Sequence, residues 1–234
     1  MTTQTQPIAL YYAATPNGRK ITIMLEELGV PYTVHPISIM RGDQFTPEFL
    51  AISPNNKMPA IVDTGPTDGG APVTVFESGA ILLYLAEKTG RFLPADLRGR
   101  TATLEWLFWQ MAGLGPMTGQ YGHFHVYAPE SIDYAKERYR REVERLLGVL
   151  ERRLVGRAFI AGDDFTIADM ACHPWIDAYA KAPVDLAPYA ALRRWRQAID
   201  ARPAVQRAYA LGKRVRPDGD RPMTEAEKKV LFGR

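Results

Sequence analysis

The periodicity of apolar residues changes once along this 234-residue chain. Up to about residue 90, segments with an apolar residue at every second position alternate with segments whose apolar residues recur at helical spacing. From Leu97 onward only the helical spacing remains. The first pattern is typical of strands and the second of amphipathic helices. The chain is therefore predicted to form an α/β domain over residues 1–92 and an all-α helical bundle over residues 97–234.

The first domain is predicted to hold a small sheet covered by helices. Alternation predicts a strand at Ile8–Tyr12, and apolar residues at i, i+3, i+4 and i+7 from Ile21 predict a helix that ends at Gly29. A strand over 34–39 follows, and Pro36 places it at a sheet edge because proline has no N–H for a ladder. Further elements are predicted as a short helix at 46–50, strands at 60–63 and 73–76, and a helix at 78–89.

The second domain is predicted to be entirely helical. Apolar spacing predicts helices over 101–111, 132–154, 166–179, 189–201 and 203–211. The segment Gly113–Pro116, with two glycines and a proline, predicts a break after the first of them. Thr224 and Glu227 have the spacing of a capping box, which predicts a last helical turn near the C-terminus.

The charge and the hydropathy of the sequence limit which binding partners and which cellular location we expect. The net charge is +3, and lysines and arginines are interleaved with acidic residues, so a nucleic-acid partner is not expected. The longest apolar run, residues 79–86, is far shorter than the roughly 18 residues that a membrane span needs. Residues 1–7 lack the basic start of a secretory signal. We therefore expect a cytoplasmic protein with no membrane partner.

Cysteine usage limits the redox chemistry. Cys172 is the single cysteine, so the chain cannot form an internal disulfide. It lies in a predicted helix, where a small buried apolar residue is the usual role of a cysteine. Any thiol chemistry must therefore use sulfur atoms of a substrate. His123 and His125 lack the spacing of a helical metal pair, and no metal site is predicted.

Three segments together resemble the glutathione S-transferase superfamily. They are Thr15-Pro16-Asn17 after the first strand, the segment 53–59 (Ser-Pro-Asn-Asn-Lys-Met-Pro) before the third, and Glu77-Ser78 at the start of the following helix. Within that superfamily the chain is most similar to the bacterial nu class, through residues 15–18, 76–85 and 107–110. The resemblance implies a thioredoxin-like, glutathione-binding N-terminal domain followed by a helical C-terminal domain, which is the glutathione transferase fold.

The resemblance implies contacts for each part of glutathione. Pro59 is expected to be a cis-proline, so that the Met58 backbone pairs with the cysteine of the peptide as an added strand. An ordinary trans proline that opens a strand is the alternative. Ser78 and Glu77 would hold the carboxylate and the ammonium of the γ-glutamyl group at a helix N-terminus. The alternative here is plain N-capping by Ser78 with Glu77 solvated.

Two charged residues and an amide are assigned to the ligand's other acidic groups. Lys57 and Gln44 would address the glycine carboxylate. Arg138 resembles a nu-class arginine that faces the glutathione site, where the class holds two glutathiones or the disulfide. A surface arginine paired with Glu142, one helical turn on, is the alternative for Arg138.

Thr15 and Asn17 are the predicted catalytic residues. Both lie where the first strand leads into a helix, and a helix N-terminus lowers the pKa of a nearby thiol. The resemblance implies that they stabilise the glutathione thiolate, although both residue types also cap helices. Tyr12 is the alternative, because other transferase classes activate the thiol with a tyrosine at this strand end. Its alternation with Ile8 and Leu10 instead indicates a packed side chain.

The predicted function is glutathione-dependent disulfide-bond reduction or transfer on small disulfides. Two alternatives stay open, namely conjugation of glutathione to electrophiles and a non-catalytic, regulatory glutathione-binding module. The resemblance also implies a homodimer.

Overall fold

The computed structural model describes residues 8–176, 178, 182–216 and 223–233. Contacts group them into two units: the described residues up to Thr89 together with those from Pro203, and residues 90–202. The sequence predicted that all residues from 97 onward belong to the helical domain, whereas the contacts group the described residues from Pro203 with the first unit. The predicted boundary at 92–97 itself stays a prediction. The sequence predictions also covered residues 1–7, 177 and 179, which lie outside the residues that the structure describes.

One sheet organises the first unit. The described residues form strands β1 (Ile8–Tyr12), β2 (Tyr32–Pro36), β3 (Ala60–Asp63) and β4 (Val73–Phe76), in the order β2-β1-β3-β4. β1 is parallel to β2, and β3 is antiparallel to β1 and β4. The edge position of β2 confirms the prediction from Pro36. β2 begins two residues earlier than predicted, directly after Pro31, because Tyr32 pairs with Ile8.

The helices that follow these strands have the predicted caps at the end of the first and third and at the start of the second. They are α1 (Pro16–Leu28), α2 (Pro47–Leu50) after a 3₁₀ turn at Asp43–Phe45, and α3 (Ser78–Thr89). The Thr15 and Thr46 hydroxyls accept hydrogen bonds from backbone N–H groups three residues on and so cap α1 and α2. Gly29 and Gly90 follow α1 and α3 in the left-handed conformation.

The second unit is helical. Its helices are α4 (Leu97–Trp109), α5 (Gly115–Gly122), α6 (Asp133–Leu154), α7 (Ile167–Ile176) and α8 (Ala190–Asp200). The predicted break at Gly113–Pro116 is wrong, because a π-helical turn at Gln110–Leu114 leads directly into α5. Pro116 lies in the first turn of α5, where a missing N–H costs no helical hydrogen bond. No helix of the described residues is both long and apolar enough to cross a bilayer.

A buried carboxylate organises the core of the second unit. Asp169 is fully buried and accepts hydrogen bonds from the Ile160 and Thr166 N–H groups and from Trp195 Nε1, at 2.9, 2.9 and 2.7 Å. These donors compensate the burial of the carboxylate. Cys172 lies in the same helix and is fully buried, as its sequence context predicted.

The last two helices complete the first unit. They are α9 (Pro203–Arg214) and α10 (Glu225–Phe232), and Thr224 with Glu227 forms the predicted capping box. α9 packs on α1, where Arg207 Nε lies 2.7 Å from Glu26 Oε2 and the Arg19 guanidinium lies over the Tyr209 ring. No local pattern distinguishes a helix that packs on the sheet domain from one that joins the bundle. This explains the different grouping of the C-terminal segment.

A buried ion pair joins the end of β3 to α3. The Asp63 side chain is fully buried, and its Oδ2 accepts hydrogen bonds from Lys88 Nζ and, at 2.7 Å, from Tyr84 Oη. The Gly65 N–H donates to Oδ1 at 2.9 Å. Burial alone would raise the pKa of Asp63, but the hydrogen bonds outweigh it and hold that pKa below its usual value.

Replacing Asp63 with Asn should therefore destabilise the protein in a pH-dependent way. At neutral pH we expect Asp63→Asn to lower the free energy of unfolding by about 2 kcal/mol, because Lys88 loses its anionic partner. A lowered folded-state pKa gives stability that is complete above the unfolded-state value of about 3.9 and is lost as the pH falls through the folded-state value. Urea unfolding between neutral pH and about pH 3 should show the two proteins converging in acid.

Asp68→Asn is the matched control, because Asp68 is an exposed carboxylate in the following loop. It should change the free energy of unfolding by less than about 0.5 kcal/mol. An equal deficit of Asp63→Asn at neutral and acidic pH would contradict the assignment of the lowered pKa.

Candidate active site

Three separate segments of the first unit meet at one cleft. It has a volume of about 150 Å³ and is lined by Asn17, Ser53, Lys57, Met58, Pro59, Phe76, Glu77 and Ser78. Six of the nine residues predicted from sequence lie in this set, all except Thr15, Gln44 and Arg138. Ser53 and Phe76 are additional. The cleft lies where β1 leads into α1 and β4 leads into α3.

The first turn of α1 forms one wall. Thr15 is the N-cap, and its Oγ1 accepts a hydrogen bond from the Gly18 N–H at 3.2 Å. A Cβ at Gly18 would lie 2.2 Å from the Ala13 carbonyl oxygen, so only glycine allows this turn to approach the end of β1 so closely. Asn17 lies in the same turn and lines the cleft. The turn therefore presents a hydroxyl, an amide and the positive end of the helix dipole.

The segment before β3 forms the second wall. Ser53 is fully buried, and its Oγ donates a 2.8 Å hydrogen bond to the Lys57 carbonyl, which holds the loop as a tight turn. The Met58–Pro59 peptide bond is cis, as the resemblance implied. The Lys57 side chain is exposed at the wall of the cleft. Sequence analysis missed the structural role of Ser53, although its spacing of four residues from Lys57 is compatible with such a turn.

Glu77 and Ser78 form the third wall. Glu77 has a φ of 69°, a left-handed conformation that costs a non-glycine residue energy and is found mostly at functional sites. Its carbonyl accepts a hydrogen bond from the Ile81 N–H at 2.9 Å, so Glu77, not Ser78, occupies the N-cap position of α3. Its carboxylate is exposed and accepts a 3.4 Å hydrogen bond from Asn55. Ser78 is buried, and its Oγ accepts a 3.2 Å hydrogen bond from Lys20 Nζ.

Gln44 lies apart from this cleft within the described residues. Its side chain is only 4% exposed, and its Nε2 donates a 3.3 Å hydrogen bond to the Ile39 carbonyl. The contact holds the loop before the 3₁₀ turn. The predicted contact of Gln44 with the ligand's glycine carboxylate stays a prediction.

Of the two tyrosines at the end of β1, Tyr12 belongs to the packed interior and Tyr11 is half-buried. Tyr12 is fully buried, and burial raises the pKa of its phenol above the usual value. A Cβ at Gly212 of α9 would lie 2.9 Å from the Tyr12 hydroxyl, so α9 covers this group. Tyr11 stacks on His35 with ring centroids 4.9 Å apart. The Tyr12 hydroxyl, the alternative for thiol activation, is therefore buried under α9 and does not line the cleft.

Arg138 lies on α6 of the second unit. Its side chain is exposed and borders a cavity of about 460 Å³, lined also by Tyr134, Glu137, Arg141, Glu142 and Arg145. Glu142, the partner in the alternative interpretation, forms its ion pair with Arg145 at 2.7 Å. Hydrogen bonding to Arg145 holds the pKa of Glu142 below its usual value, and the charge of Arg138 adds to this effect.

Among the residues that the structure describes, no group of three or more His, Cys, Asp or Glu side chains could hold a metal ion.

Family models and known proteins match this sequence over most of its length. The family model of the glutathione S-transferase N-terminal domain matches residues 14–88, and that of the C-terminal domain matches residues 114–203. The disulfide-bond oxidoreductase YfcG of Escherichia coli is 54% identical over 86% of this chain and 94% of its own length. The disulfide-bond oxidoreductase YghU of the same organism is 45% identical over 86% of this chain and 73% of its own length.

Solved structures agree with the sequence matches. A glutathione transferase from Burkholderia graminis, with two glutathione molecules bound per subunit, superposes with a TM-score of 0.85 and 46% identity over 89% of both chains. A glutathione transferase from Pseudomonas putida, with one glutathione disulfide bound per subunit, gives 0.82 and 43% over 86% of this chain and 90% of its own. This chain therefore belongs to the glutathione S-transferase family.

Proposed function

We propose that this protein is a glutathione-dependent disulfide-bond reductase that uses the thiolate of bound glutathione. The observation that carries the proposal is the cleft at the N-terminus of α1, where Asn17 meets the Met58–Pro59 and Glu77–Ser78 segments and Thr15 caps the helix. Support also comes from the relatives named disulfide-bond oxidoreductases. The only cysteine of the chain is buried, so the reacting sulfur atoms belong to the substrates.

The walls of the cleft offer a partner for each part of glutathione. The Met58 backbone would pair with the cysteine of the extended peptide, as a strand adds to a sheet. Ser78 and Glu77 would take the carboxylate and the ammonium of the γ-glutamyl group. Lys57, and Gln44 by resemblance, would take the glycine carboxylate.

The first turn of α1 would stabilise the sulfur anion. Because the Thr15 hydroxyl oxygen accepts the Gly18 N–H, its own O–H proton is oriented away from that N–H and can be donated to a thiolate. The Asn17 amide lines the same wall, and the helix dipole favours negative charge there. Hydrogen bonds to an anion are about twice as strong as those between neutral groups, so together they would lower the pKa of the glutathione thiol.

The reaction needs two glutathione molecules and no protein sulfur. The first thiolate attacks one sulfur of a small disulfide, forms a mixed disulfide and releases the other half as a thiolate that takes a proton from solvent. A second glutathione thiolate attacks the glutathione sulfur of that mixed disulfide, gives glutathione disulfide and releases the second thiol. Two glutathiones are oxidised for each disulfide reduced. Arg138 is proposed to bind a carboxylate of the second glutathione.

Two alternatives use the same cleft. Conjugation to electrophiles would need the same thiolate, and a non-catalytic binding module would need only the peptide contacts. Retention on immobilised glutathione, followed by turnover of hydroxyethyl disulfide and of a chloronitrobenzene, separates the three. Faster turnover of the disulfide supports the proposal, faster turnover of the electrophile favours conjugation, and retention without turnover favours the binding module.

Thr15→Val and Asn17→Ala should each lower kcat/KM for disulfide reduction by about 10- to 100-fold, the effect of losing one hydrogen bond to a charged group. Thr15→Val also removes the cap of α1, at a cost of about 1 kcal/mol of stability. Thr46→Val is the matched control, because it removes the equivalent cap of α2 outside the cleft. It should lose similar stability and keep its activity. Equal activity of Thr15→Val and Thr46→Val would exclude a catalytic role for the Thr15 hydroxyl.

Cys172→Ala should retain kcat/KM within about twofold, because the buried thiol takes no part in the exchange. It should cost stability of the order of 1 kcal/mol through the small cavity that it leaves. Mass spectrometry of the wild-type protein quenched during turnover should find no glutathione attached to Cys172. A mixed disulfide at Cys172, together with loss of activity in Cys172→Ala, would overturn the proposed mechanism.

The homodimer, which the family resemblance implies, and the cytoplasmic location, which the hydropathy of the sequence suggests, remain proposals. Light scattering after size-exclusion chromatography should give twice the mass of one chain at micromolar concentration. The mass of a single chain at that concentration would rule out the stable dimer.

A further inference from the structure

A buried ammonium group lies directly behind the wall of the cleft. Lys20 belongs to α1, is 1% exposed, and donates a 3.2 Å hydrogen bond from Nζ to Ser78 Oγ. Ser78 is the first residue of α3 and lines the cleft, whereas Lys20 does not line it. The two residues are 58 positions apart in sequence, and the packing of α1 on α3 brings them together.

Burial of this charge has an energetic consequence. A lysine side chain removed from water keeps its charge only where dipoles or anions nearby compensate the lost hydration. A ligand carboxylate on the cleft side of Ser78 would add such compensation, since the interaction between opposite charges is stronger away from water. The chain thus places the side-chain nitrogen of Lys20 one hydroxyl group away from a surface that a ligand can reach.

The direction of the hydrogen bond also matters. An ammonium group only donates, so Ser78 Oγ is the acceptor in this hydrogen bond, and the Ser78 O–H keeps the capacity to donate to another group. The hydrogen bond from a cation also polarises the hydroxyl and strengthens it as a donor. A carboxylate oxygen at the cleft wall is the acceptor that best suits such a donor.

We propose that Lys20 is a positioning residue that makes the cleft selective for ligands with an α-carboxylate on the γ-glutamyl residue, acting through Ser78. This inference rests on the proposed function, because it takes glutathione as the occupant of the cleft. Lys20 would influence the ligand without touching it. The preference for the α-carboxylate would then come from charge instead of shape. Thiol peptides that lack this carboxylate bind weakly even when all other contacts are kept.

The test compares two ligands on the wild-type protein by calorimetry. They are glutathione and γ-aminobutyryl-cysteinylglycine, which lacks only the α-carboxylate and keeps the amine for Glu77. We expect glutathione to bind at least about tenfold more tightly. If the wild type binds neither ligand, the proposed function fails. If it binds both equally, the proposed function stands and the role of Lys20 is overturned.

Variants of Lys20 then show whether the preference comes from its charge. Lys20→Met keeps the length of the side chain without charge or donor, and Lys20→Gln keeps a donor without charge. Both should bind glutathione about tenfold more weakly and bind the analogue as the wild type does, so that the preference falls by about tenfold. Equal weakening for both ligands would indicate a purely structural role and overturn the proposal.

Two further variants control for folding. Lys88→Met removes another largely buried ammonium of the same unit, the partner of Asp63, and should lower the thermal midpoint while keeping the ligand preference. If neither Lys20 variant shows a cooperative thermal transition, Ser78→Ala still keeps the proposal open to refutation, because it removes the hydroxyl between the ammonium and the ligand. An unchanged preference in Ser78→Ala overturns the proposal, since Lys20 would then have no route to the ligand.

Discussion

The close approach of α1 to the end of β1 is the contact on which the site depends. Gly18 lies against the Ala13 carbonyl, where any side chain would collide with the backbone, and Thr15 caps the helix at the same point. The contact fixes where the helix dipole points and where Asn17 meets the cleft. It also directs the next turn of α1 towards α3. One backbone contact thus determines both the chemical end of the cleft and the residues behind its opposite wall.

Sequence was informative wherever a local rule decides the structure. Thr15, Thr46 and Thr224 mark helix starts because a side-chain oxygen must accept the N–H groups that a first turn leaves unpaired. Pro36 marks a sheet edge because proline has no N–H to donate to a neighbouring strand. The same rules misled at Pro116, since proline interrupts a helix only beyond its first turn and a π-helical turn carries the chain to that point.

The remaining features needed the tertiary structure. A lysine in the middle of a helix usually points to solvent, and nothing near Lys20 in sequence announces its contact with Ser78, 58 residues away. Gln44 is a polar residue of the kind that contacts ligands, and its sequence context does not show that its Nε2 donates a hydrogen bond to the Ile39 carbonyl of its own loop. The packing of α9 on α1 depends on which apolar surface is left uncovered, and no single segment encodes that choice.

The burial of Cys172 has a consequence for how such a protein would endure oxidising conditions. A thiol with no access to solvent does not progress to sulfenic acid or to a glutathione adduct, since oxidation follows exposure and thiolate character. A catalyst of sulfur exchange that has no accessible thiol of its own is not trapped as a mixed disulfide by the molecules it processes. Its working rate would then follow the ratio of reduced to oxidised glutathione in its surroundings, and recovery from an oxidative episode would require no reduction of a protein cysteine.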